Sequence, residues 1–201
     1  PDAYFDENIR RMLDNYRYSF TQLANNYLKA NKPDSAIHWL QFGEDKLPFS
    51  TVKSDSRSLF EYAKRYMDAG AAEEALRLGE QAKDDTFEEL NNQVERLESL
   101  ENRIYQLDSQ AKQAKQNAEW EQQRNLQSQV QRLMSTRENM SQNLSMNMLL
   151  LMRMQQIYFE ADKDENAKEL GQRVNNLLGN RFNFPMTKEE NANRVRRSFP
   201  D

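Results

Sequence analysis

The chain has 201 residues, of which 37% are hydrophobic, 30% charged and 10% aromatic, with a formal net charge of −4. That length suits one ordinary domain or two small ones, the aromatic content argues against disorder, and the acidic balance offers no basic face for nucleic acid. Cysteine is absent, which excludes disulfides, thiolate metal sites and cysteine nucleophiles. A mean hydropathy of −1.03 with only five Gly and five Pro favours helices that each bury one stripe over a turn-rich β fold. The longest apolar run, "MLLLM" at 148–152, falls far short of the ~20 residues of a membrane helix. The chain opens at Pro1 without a signal peptide and reads as a soluble piece of a larger protein.

The spacing predicts a first helix from about Asp6, which caps it, with Ile9, Leu13, Tyr16, Phe20, Leu23 and Tyr27 as its apolar stripe. Pro33 stands at the first position of a second helix over about 34–46, and Pro48 ends it. The order Phe20, Leu23, Ala24, Tyr27, Ala36, Leu40, Gly43, Pro48 resembles a tetratricopeptide repeat, in which large and small residues alternate so that two antiparallel helices approach closely. A second copy is read at 59–87 through Leu59, Tyr62, Ala63, Tyr66, Ala75 and Ala82. Gly70 supplies the left-handed residue of its turn, and Gly79 stands where a large residue is usual. A third copy at 151–178 carries Leu151, Met154, Tyr158, Ala167 and Val174. Tyr precedes Ala by nine residues in all three (27 and 36, 66 and 75, 158 and 167).

Between the second and third copies the stripe Phe87, Leu90, Val94, Leu97, Leu100, Ile104, Leu107, Ala111, Ala114, Ala118 runs on without Pro or Gly. It thins to alanine while nine glutamines gather at 106–131. A reversal near 115–120, followed by Leu126, Val130, Leu133 and Met140, gives an antiparallel hairpin; one unbroken rod is the alternative. Gly179 ends the last periodic helix, and Pro185 and Pro200 disfavour another. The expected architecture is all-α: two tetratricopeptide-like repeats at 1–85, a long antiparallel helical hairpin at 86–147, a third repeat-like pair at 148–180 and an irregular tail at 181–201.

Few residues invite chemistry. His38 is the chain's single histidine; a metal needs several converging ligands and a general base needs a nucleophile and an orienting group, so it is read as a surface or groove residue. "DKDENAKELGQR" at 162–173 imitates a calcium loop, but Ala167 replaces the turn glycine and Arg173 the closing glutamate. Asp84, Asp85, Glu88 and Glu89 read as the opening turns of a long helix, favoured by its N-terminal dipole. Met140, Met146, Met148, Met152 and Met154 suit either helix core or an adaptable peptide groove. Tyr16, Tyr18, Tyr27 and Trp39 are read as an aromatic wall on a concave face, with Tyr18, Trp39 and His38 as the candidate protein-binding surface. No catalytic residue, cofactor or metal site is expected.

The stretches "YFDENIRRMLDNYRYSFTQLANNYLKANKPDSAIHWLQFGEDKLP" and "AKRYMDAGAAEEALRLGEQA" resemble the C-terminal soluble region of large Bacteroidota membrane proteins grouped as domain of unknown function 2723. "DENIRRML" followed by "NYR" is the most specific part, and the resemblance is clearest over 4–85. It implies a parent similar to protein O-mannosyltransferases, with the catalytic acids in a multi-spanning half absent here and a helical region on the periplasmic side of the inner membrane. The segment would then be a non-catalytic interaction module for acceptor polypeptide or a partner subunit, touching the membrane only through the missing N-terminal part. A homodimer through the 86–147 hairpin fits the same picture. The alternative is a free-standing tetratricopeptide adaptor or assembly factor.

Overall fold

A computed structural model describes residues 7–52 and 54–198, so the Asp6 cap and the influence of Pro200 lie outside the described residues. The chain is all-α. Its helices are α1 Glu7–Lys29, α2 Pro33–Lys46, α3 Ser56–Asp68, α4 Ala72–Gln116, α5 Trp120–Glu160, α6 Asp164–Leu178 and α7 Lys188–Ser198, with a 3-10 turn at Gly179–Arg181. No helix among the described residues is long and apolar enough to cross a membrane. Two compact units divide the chain: Pro1–Thr86 with Leu149–Asp201, and Phe87–Met148.

One turn design recurs four times. Asn31 (φ 54°), Gly70 (φ 82°), Ala118 (φ 58°) and Asp162 (φ 57°) each adopt the left-handed conformation just past a helix end. The next residue's N–H reaches back to a carbonyl five positions earlier: Lys32 to Tyr27 and Ala71 to Tyr66 at 2.9 Å, Glu119 to Ala114 at 2.9 Å, Lys163 to Tyr158 at 2.8 Å. This closes the orphan carbonyls of the outgoing helix. The same residue's carbonyl then starts the next helix, accepting from Ala36, Ala75, Gln123 and Ala167 at 3.0–3.2 Å. The nine-residue Tyr-to-Ala spacing is the length of this turn measured between the two helices. Ala36, Ala75 and Ala167 are fully buried, so each small side chain starts its helix inside the core.

In the first unit, α1, α2 and α3 pack on one another. Gly43 of α2 admits Tyr62 and Phe20; an added Cβ would lie 2.5 Å from Tyr62 Oη and 2.9 Å from the Phe20 ring. Gly79 of α4 makes room for α5, because a Cβ there would run into Met154 of α5, itself fully buried. The large partner of the contact is carried by the facing helix. Two tyrosines tie neighbouring helices together: Tyr66 Oη of α3 donates to Glu44 Oε1 of α2 at 2.7 Å, and Tyr158 Oη of α5 donates to Glu80 of α4. Buried side chains such as Leu59, Phe60, Leu78 and Leu151 each contribute about 1.5–3 kcal/mol of transfer free energy.

The second unit is a hairpin. α4 ends at Gln116 and α5 starts at Trp120, so the chain reverses within the 115–120 stretch. Arg137 Nε donates to Glu101 Oε1 at 3.0 Å, across the two antiparallel helices. The seam holds Leu97, Leu107, Ala111, Ala114 and Leu144, while Leu126, Val130 and Leu133 are only half-buried.

Two expectations need correction. Asp84, Asp85, Glu88 and Glu89 do not open a helix: they lie inside the 45-residue α4, whose first turn carries Glu73 and Glu74. The second helix of the second pair and the first helix of the hairpin are one helix, because nothing between Ala72 and Gln116 interrupts the ladder. The 181–201 tail is not irregular throughout, since α7 occupies Lys188–Ser198. Thr187 Oγ1 accepts from the Glu190 N–H at 3.2 Å and Glu190 Oε2 accepts from the Met186 N–H at 2.9 Å. The stretch "TKEE" is thus a capping-box signature.

Candidate functional site

Helical spacing puts Arg17 with Thr21, and Tyr18 with Gln22, on the side of α1 that meets α3. Arg57, Ser58, Glu61 and Tyr62 supply the α3 side of a groove of about 310 Å³. Its floor is rigid. Arg17 is 1% exposed, pairs with Asp14 at 3.0 Å, and donates to the carbonyls of Val52 (2.6 Å), Leu47 (3.1 Å) and Pro48 (3.4 Å). Its guanidinium also lies 4.5 Å over the Phe49 ring, so one buried cation satisfies the loop between α2 and α3. Tyr62 Oη donates to the Arg17 carbonyl at 3.4 Å, and burial raises the Tyr62 pKa, opposed by the Arg17 charge. The phenol therefore stays a neutral donor across the ordinary pH range.

The rim is what a ligand meets. Tyr18 is 60% exposed and Arg57 is exposed. Glu61 is engaged by Arg153 of α5 at 2.6 Å, and it also borders a second cavity of about 330 Å³ among α3, α5 and α7. An aromatic ring, an amide and a cation along a helix-lined groove suit a peptide main chain or a carboxylate.

The candidate residues do not converge. Tyr18 borders the groove, whereas His38 and Trp39 belong to α2 and do not line it. Trp39 instead packs edge-on against Phe42 (5.5 Å) and His38 (5.7 Å), and Phe42 against Phe20 (5.8 Å). Tyr16 is 56% exposed on α1, outside both clusters, so the four-membered aromatic wall is not formed. The physical reason is that side chains three and four apart share a helix face while Tyr16 and Tyr18 do not. Met148, Met152 and Met154 are buried core, and Met146 is 41% exposed. Asp162 is the left-handed turn residue before α6, and no group of three His, Cys, Asp or Glu able to hold a metal occurs among the described residues. Arg17 was invisible to periodicity; its sequence signal is Asp14 three residues before it on the same helix face.

No family model, no curated protein and no solved structure matches the chain.

Proposed function

We propose that this segment is a non-catalytic, tetratricopeptide-like module that binds an extended polypeptide in the α1–α3 groove, with Tyr18 as the apolar contact and Gln22 and Arg57 as polar ones. The observation that carries this reading is the pairing of a rigid floor, fixed by buried Arg17, with an exposed Tyr18 on its rim. A large aromatic held on a rigid helix adds contact area at little entropic cost. In the parent implied by the resemblance of residues 4–85, the module lies on the periplasmic side of the inner membrane and presents acceptor polypeptide or a partner subunit to a glycosyltransferase half.

The test is peptide-array binding with secreted and periplasmic sequences, using the wild type and Tyr18→Ala, Arg57→Ala and Trp39→Ala variants. Tyr18→Ala and Arg57→Ala should each weaken binding about tenfold, with helical circular dichroism unchanged and Trp39→Ala near wild type. Equal binding by all four proteins, or loss confined to Trp39→Ala, overturns the groove assignment.

A further inference from the structure

Beyond α6 the chain is gripped as a receptor grips a peptide. Gly179 (φ 56°) turns it away from the helix, and Phe182 is already extended (φ −153°, ψ 144°). Asn175 of α6 then holds both main-chain groups of Phe184: its Oδ1 accepts from the Phe184 N–H at 2.6 Å and its Nδ2 donates to the Phe184 carbonyl at 3.3 Å. One residue on, Gln155 Nε2 of α5 donates to the Pro185 carbonyl at 2.8 Å. Phe184 is 1% exposed and Pro185 is buried, while Asn183 and Thr187 face solvent. Gly171 lets the segment approach; a Cβ there would lie 2.9 Å from Met186 Sδ and 3.1 Å from the Pro185 carbonyl. Main-chain hydrogen bonds from side-chain amides, plus pockets for particular side chains, are the means by which extended peptides are recognised.

The helix that follows is held mainly by polar contacts: Lys188 Nζ donates to the Phe159 carbonyl at 3.2 Å and Arg194 Nη1 to the Asn183 carbonyl at 2.5 Å. Ala192 and Val195 are the only apolar residues of α7. Its buried anchor, Asn191, donates to the Met152 carbonyl at 2.9 Å and to Gln155 Oε1 at 2.7 Å, yet its own Oδ1 is buried without a partner. An unpaired buried acceptor weakens the docked state. The cavity bordered by Val195 and Arg196 lies on the same helix. A specific grip on Phe184, Pro185 and Met186 is thus joined to a helix that buries little apolar surface.

We propose that Gln155, Gly171 and Asn175 form a binding site for an extended aromatic–Pro–Met segment, and that residues 183–186 are its exchangeable resident. The occupant that replaces them is the same segment of a second copy of the chain. A tethered segment competes at an effective concentration in the millimolar range, so the site is filled in cis until its own segment is disabled.

The experiment uses the full chain carrying Phe184→Asp and a fluorescent peptide of residues 181–190, RFNFPMTKEE. Phe184→Asp should bind the peptide with a Kd below about 100 µM while the wild-type chain, filled in cis, binds at least about tenfold more weakly. Adding Asn175→Ala, or placing Phe184→Asp in the peptide, should abolish binding. A folded Phe184→Asp protein that ignores the peptide overturns the proposal. Should that variant not fold, a protease site inserted between Arg181 and Phe182 of the otherwise wild-type chain carries the test. After cleavage of the folded protein, exchange of the released segment for labelled peptide supports the site, and no exchange within a day shows a permanent part of the core.

Discussion

The two units use the same turn and end with different interiors. In the first, several helices converge, so fully buried aromatics such as Phe60, Tyr62 and Tyr66 sit beside close-approach glycines at Gly43 and Gly79. In the second, two helices share a single seam of Leu, Ala, Val and Met, and Tyr105 and Met134 remain 76% and 52% exposed. A two-helix layer buries one stripe per helix whatever its length, whereas a helix with neighbours on two sides buries most of its circumference. Lengthening a hairpin therefore adds reach without adding a thicker core.

The contrast is broken most directly by truncating matched leucines. Leu78→Ala, at a fully buried site in the first unit, should cost about 2–5 kcal/mol, whereas Leu126→Ala, half-buried in the second, should cost about 1 kcal/mol. Urea denaturation of both variants checks this, and equal losses would mean that the hairpin seam is as well packed as the first unit.

A smaller effect of opposite sign is expected from the shared turn. Gly70 at φ 82° is free of side-chain strain, and Ala118 at φ 58° is not. Gly70→Ala should destabilise by about 1–2 kcal/mol, while Ala118→Gly should stabilise by about 1 kcal/mol or less after the extra entropy lost by glycine. Hydrogen exchange at the two turns separates a local from a global gain.

The smallest effect is alkaline. Tyr62, Tyr66 and Tyr158, all in the first unit, have pKa values raised from the ordinary 10.0, chiefly by burial, with Glu44 adding to Tyr62 and Tyr66 and Glu80 to Tyr158. Above pH 10 the unfolded chain loses phenolic protons that the folded chain keeps, so stability is complete below that pH and falls as the pH rises above it. Thermal unfolding between pH 9 and 12 should show the Tm falling, and Tyr66→Phe should flatten the decline.

Much of the helical layout was legible because its signals are local. Pro33 opens α2, Gly70 and Gly179 take positive φ, and the hairpin reverses within 115–120. The "TKEE" cap of α7 is equally local; the expectation of an irregular tail rested on Pro185 and Pro200, yet Pro185 sits before the cap, where it costs no helical hydrogen bond. Of the candidate surface, Tyr18 meets the groove, and its separation from Trp39 and His38 follows from helix faces that a linear stripe does not resolve.

By itself the sequence determined an all-α chain, the Tyr-to-Ala turns and the stripes that fill the helix pairs, since these follow from periodicity, caps and backbone freedom over a few residues. Only the tertiary structure decided that Arg17 would become a buried clasp for a distant loop, and that Gly79 would be completed by Met154. It alone seated residues 183–186 in the grip of Asn175 and Gln155. Those outcomes depend on which groups lose water together, and that is fixed only when helices far apart in the chain meet.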